Sequence, residues 1–344
     1  MENIFITGAT GYIGSNLALK LADSGKIVHA LCRSRSKASS LDHKNIVLFE
    51  GDILDQESIE ASMRSCENVY HLAAYGNIWS KDPQTYFDIN IQGTVNVFNA
   101  AAKLGVKKVV FTSTAGTFGP SINSSGLSDP NNRGTGNSVV NEKSIRTIDF
   151  FTEYEHSKFL AEKKVQLPGN GLDAVIVCPS RVYGPGLLTK TNVATKIIKL
   201  YVEGKWRLVP GSGKYIGNYV YIDDVINGHI QAMNKGIPGE KYILGGANVS
   251  NNEIFDMIAK ISLKNYKMYH IPISLMLTFA RVQELYAWLF NRPPVITTKW
   301  VKRYSYNWVF SSQKAEKELG YKITPLEKGI RKTIEWINQN NVNK

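Results

Sequence analysis

A glycine-rich turn near the N-terminus constrains the fold more than any other feature. Residues 3–7 (NIFIT) are strand formers, residues 8–14 (GATGYIG) carry glycines at three positions, and a leucine-rich helical pattern comes next. In a strand, turn and helix of this kind, Gly8 permits the turn, Gly11 lets the backbone approach a pyrophosphate, and Gly14 lets the helix pack on the strand. The helix N-terminus then faces the phosphates. This spacing predicts a dinucleotide-binding turn.

A tyrosine and a lysine lie four positions apart far downstream of this turn, at Tyr154 and Lys158. On a helix both project from one face, so the ammonium can lie near the phenol and lower its pKa. Tyr154 is then a candidate proton donor and acceptor. The pair alone is typical of a solvated helix face, but together with the glycine-rich turn it indicates a dinucleotide-dependent redox enzyme.

Strand-like and helical patterns alternate along the first half of the chain. The strand-like runs are 26–31, 46–50, 69–72, 108–112 and 174–178, and the helical patterns between them are 55–63, 89–104 and 151–166. Such alternation predicts an α/β fold built on a doubly wound parallel sheet. We expect residues 1–180, with returns near 215–245, to form a Rossmann nucleotide-binding domain. Residues 181–214 and 246–344 are expected to form a smaller C-terminal substrate lobe.

Composition and charge narrow the class of protein. With 344 residues, 43% of them hydrophobic, the chain can bury one large core. Its cysteines, Cys32, Cys66 and Cys178, are widely spaced, which predicts reduced core residues and neither a disulfide nor a metal site. The net charge of +12 is dispersed, so we expect a basic surface that suits an anionic cofactor and no nucleic-acid partner. Because strand formers begin at Asn3, we expect no signal peptide and a cytoplasmic protein.

Further motifs resemble the extended short-chain dehydrogenase/reductase family, within the NAD-dependent epimerase/dehydratase superfamily, and they occur in the family's order. They are residues 51–53 (GDI), 71–74 (HLAA), 90–94 (NIQGT), 111–115 (FTSTA), 182–186 (VYGPG) and 221–225 (YIDDV). The family includes nucleotide-sugar epimerases, 3β-hydroxysteroid dehydrogenases and dihydroflavonol reductases. The sequence most resembles the branch of the last two. The resemblance implies an NAD(P)-dependent enzyme of this type, with a homodimer as a candidate assembly.

The resemblance also implies which residues hold the cofactor. Enzymes specific for NAD usually place a carboxylate after the second strand, but residues 31–37 read LCRSRSK. Arg33, with one of Arg35 or Lys37, is predicted to bind the 2′-phosphate of NADP, and a basic surface loop is the alternative. NADP is therefore the expected cofactor, and NAD is the alternative. The full predicted set is Gly8, Thr10, Gly11, Tyr12, Ile13, Gly14, Arg33, Asp52, Ile53, Leu72, Ala73, Ala74, Lys158 and Pro179.

The family places a catalytic hydroxyl at the end of the fifth strand. By register, Thr114 is predicted to position the substrate oxygen, and Ser113 is the second choice. The resemblance implies that Tyr154 exchanges a proton with this oxygen, while Lys158 holds the ribose hydroxyls and lowers the tyrosine pKa. Asn90 resembles an asparagine that supports this network, and a helix N-cap is its alternative role.

Departures from the family pattern bear on the substrate. Sugar 4,6-dehydratases carry an Asp-Glu pair after the catalytic threonine, whereas this chain has Ala115 and Gly116 there, which disfavours that reaction. Epimerases commonly carry an asparagine and an arginine for the sugar diphosphate, where this chain has Arg181 nearby and residues 217–218 (GN). An arginine could still bind a phosphate, so the epimerase interpretation is weakened but stays open. Residues 291–297 (NRPPVIT) resemble the steroid-dehydrogenase-like and flavonol-reductase-like members.

Two segments carry structural expectations of their own. Residues 271–290 form an apolar stretch about one membrane thickness long, but Arg281, Gln283 and Glu284 interrupt it, which argues against a spanning helix. We expect an amphipathic helix packed on the substrate lobe, and contact with a membrane surface is the alternative. The polar loop 120–140 is predicted either to close over the substrate or to be a solvated excursion.

These observations predict an NADP-preferring oxidoreductase that acts on a small-molecule substrate, a secondary alcohol or ketone with a sizeable apolar body. The alternative is a nucleotide-sugar epimerase with tightly bound NAD, which uses the same hydride and proton chemistry but returns the hydride. The third interpretation is a cofactor-binding regulatory protein without turnover. The complete set of catalytic residues argues against it.

Overall fold

The structure, a computed structural model, describes residues 2–122, 139–165, 172–189 and 191–342. Its strands are β1 (Asn3–Thr7), β2 (Ile27–Cys32), β3 (Ile46–Glu50), β4 (Asn68–His71), β5 (Lys108–Thr112), β6 (Asp173–Pro179), β7 (Arg181–Tyr183), β8 (Leu208–Pro210), β9 (Ile216–Tyr221), β10 (Lys241–Leu244), β11 (Ala247–Ser250) and β12 (Tyr269–Ile271). Its helices are α1 (Tyr12–Asp23), α2 (Gln56–Met63), α3 (Gln84–Phe87), α4 (Gly93–Lys103), α5 (Glu153–Val165), α6 (Val193–Val202), α7 (Ile222–Lys235), α8 (Asn251–Ser262), α9 (Ile273–Phe290), α10 (Thr298–Arg303), α11 (Gln313–Leu319) and α12 (Leu326–Val342).

Seven strands form one parallel sheet in the order β10-β6-β5-β4-β1-β2-β3. Its inner strands are apolar on both faces, as in β5 (KVVFT), because helices cover both sides. The strand order reverses between β1 and β4, and ligands of such sheets bind in the crevice at this reversal, outside the carboxyl ends of the strands. The predicted fold class is confirmed.

The core lies on both faces of this sheet. Leu17 of α1 and Val225 of α7 belong to the cluster on one face, whereas Val97 of α4 and Ala161 of α5 belong to the cluster on the other. The three cysteines are buried and unpaired, as predicted. They contribute to these two clusters as small apolar side chains.

Two small sheets accompany the large one. β9 pairs in parallel with β7 and antiparallel with β11, and β12 pairs in parallel with β8. Of the segment that was expected to return to the nucleotide-binding domain, β10 joins the large sheet and β9 joins a small one. The exact boundaries of the two domains remain a prediction.

The helix expected from residues 271–290 forms as α9, but its surface differs from the expectation. Its inner face packs against α10 and buries Ala280 and Ala287. Its outer face is exposed and apolar, so the predicted amphipathic character is wrong. In the described part of the chain, no helix is long and apolar enough to cross a membrane. Most of the predicted loop, residues 123–138, lies outside the described residues.

Candidate active site

The glycine-rich turn joins β1 to α1 at the edge where the strand order reverses. Gly8 has a φ of +73°, and a Cβ at this position would lie 2.6 Å from the amide nitrogen of Ala73. A Cβ on Gly14 would lie 2.1 Å from the carbonyl oxygen of Gly8. Gly11 is the N-cap of α1, and no side chain among the described residues caps this helix end. The first-turn amides suit an anionic ligand such as a pyrophosphate.

The remaining residues of the turn divide between the surface and the core. Thr10 and Ile13 are partly exposed. Tyr12 is buried, and its hydroxyl donates to the carbonyl oxygen of Gly184 at 2.9 Å. Its ring therefore belongs to the core, and a contact of Tyr12 with a cofactor would use the backbone.

The other predicted cofactor residues lie at or just after the carboxyl ends of strands in the large sheet, and these ends meet along one edge. In chain order they are Arg33, Asp52, Ile53, Leu72, Ala73, Ala74 and Pro179. Arg33 is exposed just after β2, whereas Arg35 donates to the carbonyl oxygen of Leu48 at 3.3 Å. Arg33 is therefore the freer of the two guanidinium groups. Asp52 orders its own turn, because its Oδ1 accepts from the Leu54 amide at 2.9 Å.

Tyr154 and Lys158 both lie on α5, as predicted, and their surroundings differ. Burial raises the pKa of the Tyr154 phenol to about 12, and the positive charge that opposes this shift is that of Arg303. The Lys158 Nζ instead lies 4.1 Å from the centre of the Phe111 ring. Burial also lowers the pKa of Lys158. That Lys158 lowers the tyrosine pKa stays a prediction for the enzyme with its cofactor bound.

The Lys158 ammonium is the clearest sign of a missing partner at this site. The residue is only 1% exposed, and its Nζ has no hydrogen-bond partner within the described part of the chain. Burial lowers the pKa of Lys158 to about 7, although the Glu162 carboxylate acts in the opposite direction. A buried donor of this kind needs an acceptor, and the ribose hydroxyls of a dinucleotide fit that need.

The two candidate hydroxyls after β5 differ in their surroundings. Ser113 is buried, and its Oγ donates to the Glu162 carboxylate, which also pairs with Lys241 at 2.5 Å. Thr114 is partly exposed, and its Oγ1 accepts from the Gly116 amide at 3.2 Å, so its proton remains available to donate. Of the two hydroxyls, that of Thr114 is the one free to donate to another group, and its catalytic role stays a prediction.

Asn90 is buried inside a π-helical segment, Asp88–Gln92, that leads into α4. It is not a helix N-cap, because the backbone on both sides of it is helical. Its Oδ1 accepts from the Tyr75 amide at 2.7 Å, and its Nδ2 donates to the Ser157 hydroxyl at 2.8 Å. Ser157 in turn donates to the carbonyl oxygen of Tyr154 at 3.1 Å. Asn90 is thus bonded to the helix that carries the tyrosine, which is compatible with its predicted supporting role.

A buried histidine extends this network to the glycine-rich turn. Thr94 Oγ1 donates its one proton to the carbonyl oxygen of Asn90 at 2.6 Å, so it must accept from His71 Nε2 at 2.9 Å. His71 Nδ1 then accepts from Thr7 Oγ1 at 2.7 Å, and Thr7 accepts from the Ala73 amide at 3.2 Å. Burial holds the pKa of His71 well below its usual value, so the ring is neutral. Sequence reasoning missed this role, although a polar residue inside an apolar strand was its signal.

A second group of residues that the sequence did not reveal lies beside Tyr154. The Glu155 carboxylate pairs with Arg303 of α10 and with Arg146, whose Nη2 is 3.3 Å away. The Arg303 guanidinium lies 4.0 Å from the centre of the Trp308 ring. Its Nε is buried without a hydrogen-bond partner among the described residues. No spacing in the sequence could have joined these three charges, because they come from separate segments.

A cavity of about 210 Å³ adjoins this region. Its walls include Ile78, Trp79, Tyr86, Thr152, Glu153, Glu284 and Trp300. Of the described residues that line it, Glu153 directly precedes Tyr154, and Tyr154 itself is not part of the wall. The cavity therefore lies next to the tyrosine and does not enclose it. No group of three side chains suited to a metal ion occurs among the described residues.

Comparison with known proteins agrees with this fold. A sterol demethylase protein B of Methylococcus capsulatus is 28% identical over 97% of this chain and 98% of its own length. Anthocyanidin reductase of Arabidopsis thaliana is 29% identical over 77% of this chain and 81% of its own length. The fold is like that of UDP-glucose 4-epimerase from Thermotoga maritima, which is 24% identical with a TM-score of 0.78 over 98% of this chain and 99% of that one. Residues 4–245, more than half of the chain, match the NAD dependent epimerase/dehydratase family. The protein therefore belongs to that family and is an NAD(P)-dependent enzyme of the extended short-chain dehydrogenase/reductase type.

Proposed function

We propose that this enzyme transfers hydride between NADP and a secondary alcohol or ketone with an apolar body. The observation that carries the proposal is the buried Lys158 ammonium without a partner, one helical turn after Tyr154. Ala161 of the same helix, α5, packs on the large sheet, and the glycine-rich turn lies at the edge of this sheet. A dinucleotide along this edge would satisfy the buried donor.

The chain's own residues then have distinct tasks. Lys158 Nζ donates to the ribose hydroxyls and so fixes the position of the cofactor, which supplies or accepts the hydride when it is bound. Thr114 Oγ1 donates a hydrogen bond to the substrate oxygen. Tyr154 Oη gives a proton to that oxygen during reduction and takes it back during oxidation.

The apolar part of the cavity wall supports the proposed substrate class. Ile78, Trp79, Tyr86 and Trp300 give the neighbouring cavity aromatic and aliphatic surfaces. Arg181, which could have bound a sugar diphosphate, donates instead to the Tyr219 hydroxyl at 3.3 Å. Two relatives are named for a sterol and for an anthocyanidin, and neither of these is a nucleotide sugar.

The preference for NADP rests on charge at the end of β2. Arg33 is exposed there, and no carboxylate occurs between it and Lys37 to repel a 2′-phosphate. A guanidinium binds phosphate through charge-assisted hydrogen bonds, whereas the ribose hydroxyl of NAD offers it no charge. NADP is therefore the proposed cofactor.

A substrate panel followed at the nicotinamide absorbance tests the proposed function. Bulky apolar ketones and alcohols, small ketones, and nucleotide sugars are each incubated with the enzyme and with NADPH, NADP, NADH or NAD. We expect net cofactor turnover with the bulky apolar ketones or alcohols. Interconversion of nucleotide sugars without net turnover would make the protein an epimerase and overturn the proposal.

A further inference from the structure

The outer face of α9 carries more exposed large apolar side chains than any other helix or strand that the structure describes, and the proposed active site does not use it. It carries eight apolar or aromatic side chains, of which Tyr286 is the least exposed at 45%. We call them the α9 face, and they are Leu275, Phe279, Val282, Leu285, Tyr286, Trp288, Leu289 and Phe290. A surface helix normally turns polar residues to water, and a contiguous apolar patch marks a surface that binds a partner.

The exposed charged residues of α9 and of the two residues that follow it are both arginines. Arg281 is exposed on the same side of the helix, and Arg292 is exposed just after its end. Within the described residues of α9 the one carboxylate, Glu284, is turned inward, where it accepts from the Thr298 amide at 2.9 Å. The whole chain has a net charge of +12. The partner of the α9 face is therefore expected to be apolar and negatively charged.

We propose that the α9 face docks on the surface of an anionic lipid bilayer. The helix would lie in the plane of the interface, with its apolar side chains among the acyl chains and its arginines among the headgroups. Tyr286 and Phe290 have ring centres 4.6 Å apart near the end of the helix, and Trp288 is exposed beside them. Tyrosine and tryptophan favour the interface, because one end of each ring is apolar and the other is polar.

A second copy of this chain is a poorer occupant. Self-association would bring together two faces that both carry only positive charge, and neither offers a carboxylate to pair with Arg281 or Arg292. Anionic headgroups provide that negative charge. The exposed arginines would lie within a Debye length of a docked bilayer, so electrostatic attraction adds to the apolar contact.

The position of α9 relates docking to the active site. The outer face of the helix is the proposed docking surface, while Glu284 on its inner side lines the cavity next to Tyr154. A docked enzyme would therefore hold this cavity one helix diameter from a lipid phase, where apolar substrates concentrate. This last step rests on the proposed function, whereas docking itself does not.

Vesicle flotation with the full chain tests the proposal, without substrate or cofactor. Vesicles of phosphatidylcholine alone are compared with vesicles that also contain phosphatidylglycerol. The double variant Leu285→Ser with Trp288→Ser tests the apolar contact, and Arg281→Glu tests the charge. Ile145→Ser is the matched control, because Ile145 is 86% exposed but lies outside α9. Thermal unfolding of each variant checks that it is folded.

We expect the wild type and Ile145→Ser to float with the phosphatidylglycerol vesicles. The double variant should bind them at least about tenfold more weakly, because two large side chains no longer leave water. Arg281→Glu should lose the preference for phosphatidylglycerol. The proposal is overturned if the wild type stays soluble with both vesicles, or if the double variant binds as well as the wild type. A wild-type dimer in sedimentation velocity that the double variant abolishes would assign the face to a second copy and also overturn it.

Discussion

Lys158 holds its positive charge in an almost dry environment. It is 1% exposed, and burial lowers its pKa to about 7 from an ordinary value of 10.5. Such a charge destabilises the fold unless something compensates it, and the Glu162 carboxylate does so only in part. Lys158 therefore lowers the stability of the protein without cofactor, and we expect it to contribute to cofactor binding.

Removing this charge should therefore stabilise the protein without cofactor. Below about pH 7 both folded and unfolded chains carry the proton, so Lys158→Met should be more stable than the wild type by on the order of a few kcal/mol. Between about pH 7 and 10.5 the unfolded chain binds the proton and the folded chain does not, so wild-type stability rises with pH and the difference shrinks. Denaturant unfolding at several pH values measures this. Lys164→Met, which removes an exposed charge from the same helix, is the control. A difference independent of pH would refute the account of Lys158.

Arg33 tests the choice of cofactor. One charge-assisted hydrogen bond contributes roughly 1.5 to 3 kcal/mol, which corresponds to about 10- to 150-fold in affinity. Arg33→Ala should weaken NADPH binding by about this factor and leave NADH nearly unchanged, as titration of each cofactor would measure. Arg64→Ala, which removes another exposed arginine, should change neither. An equal loss of affinity for both cofactors would show that Arg33 is only a surface charge. NAD would then become the better candidate for the cofactor.

The sequence predicts which residues form the candidate site better than it predicts the contacts of their side chains. Helical spacing placed Tyr154 and Lys158 on one helix, and register favoured Thr114 over Ser113. The ring of Phe111 beneath Lys158 and the Glu162 carboxylate beside Ser113 come from tertiary packing. No local pattern reports such contacts, so the effect of Arg303 on the pKa of Tyr154 was not predicted from the sequence.

Among the elements, α10 and α5 are joined by a buried charge cluster. Arg303 at the end of α10 pairs with Glu155, the residue after Tyr154, and its positive charge favours the phenolate of that tyrosine. Arg146 shares the same carboxylate, but it is not among the charges that act on Tyr154. The cluster thus connects a helix of the C-terminal region to the catalytic helix.

The pH profile of alcohol oxidation should report this connection. In Arg303→Met the phenol loses a stabilising positive charge, so its pKa rises and oxidation should need a higher pH to reach half of its maximal rate. Arg303→Lys retains the charge and should restore the profile. Arg146→Met removes a partner of Glu155 and should lower stability without moving the profile. If both methionine variants moved it equally, the role of Arg303 would be purely structural.

Most helices and strands follow local patterns closely. β3 and β5 have the predicted bounds, since short apolar runs between helical patterns mark buried parallel strands. The π-helical segment around Asn90 was predicted as ordinary helix, because one extra residue in a turn leaves no periodic signal. The outer face of α9 could not be foreseen, since an apolar stretch does not reveal which of its faces is covered.

For the molecule as a whole, one hydrogen-bonded network joins the two motifs that the sequence singled out. It runs from the Ala73 amide through His71 and Asn90 to Ser157, one residue before Lys158. The alternation of strand and helix patterns predicted the doubly wound parallel sheet, whereas the order of its seven strands comes from the structure. The sequence did not predict the cavity, because its walls come from segments far apart in the chain.

The central claim is that Tyr154 exchanges the proton in a nicotinamide-dependent redox reaction. The most direct measurement is the turnover of Tyr154→Phe with the best substrate of the panel, together with its affinity for NADPH. Tyr286→Phe, which removes an exposed hydroxyl on α9, is the matched control. We predict that Tyr154→Phe lowers turnover by about 100-fold or more with cofactor affinity nearly unchanged, because the ring stays and only the transferable proton is lost. Near-normal turnover in Tyr154→Phe would contradict the account.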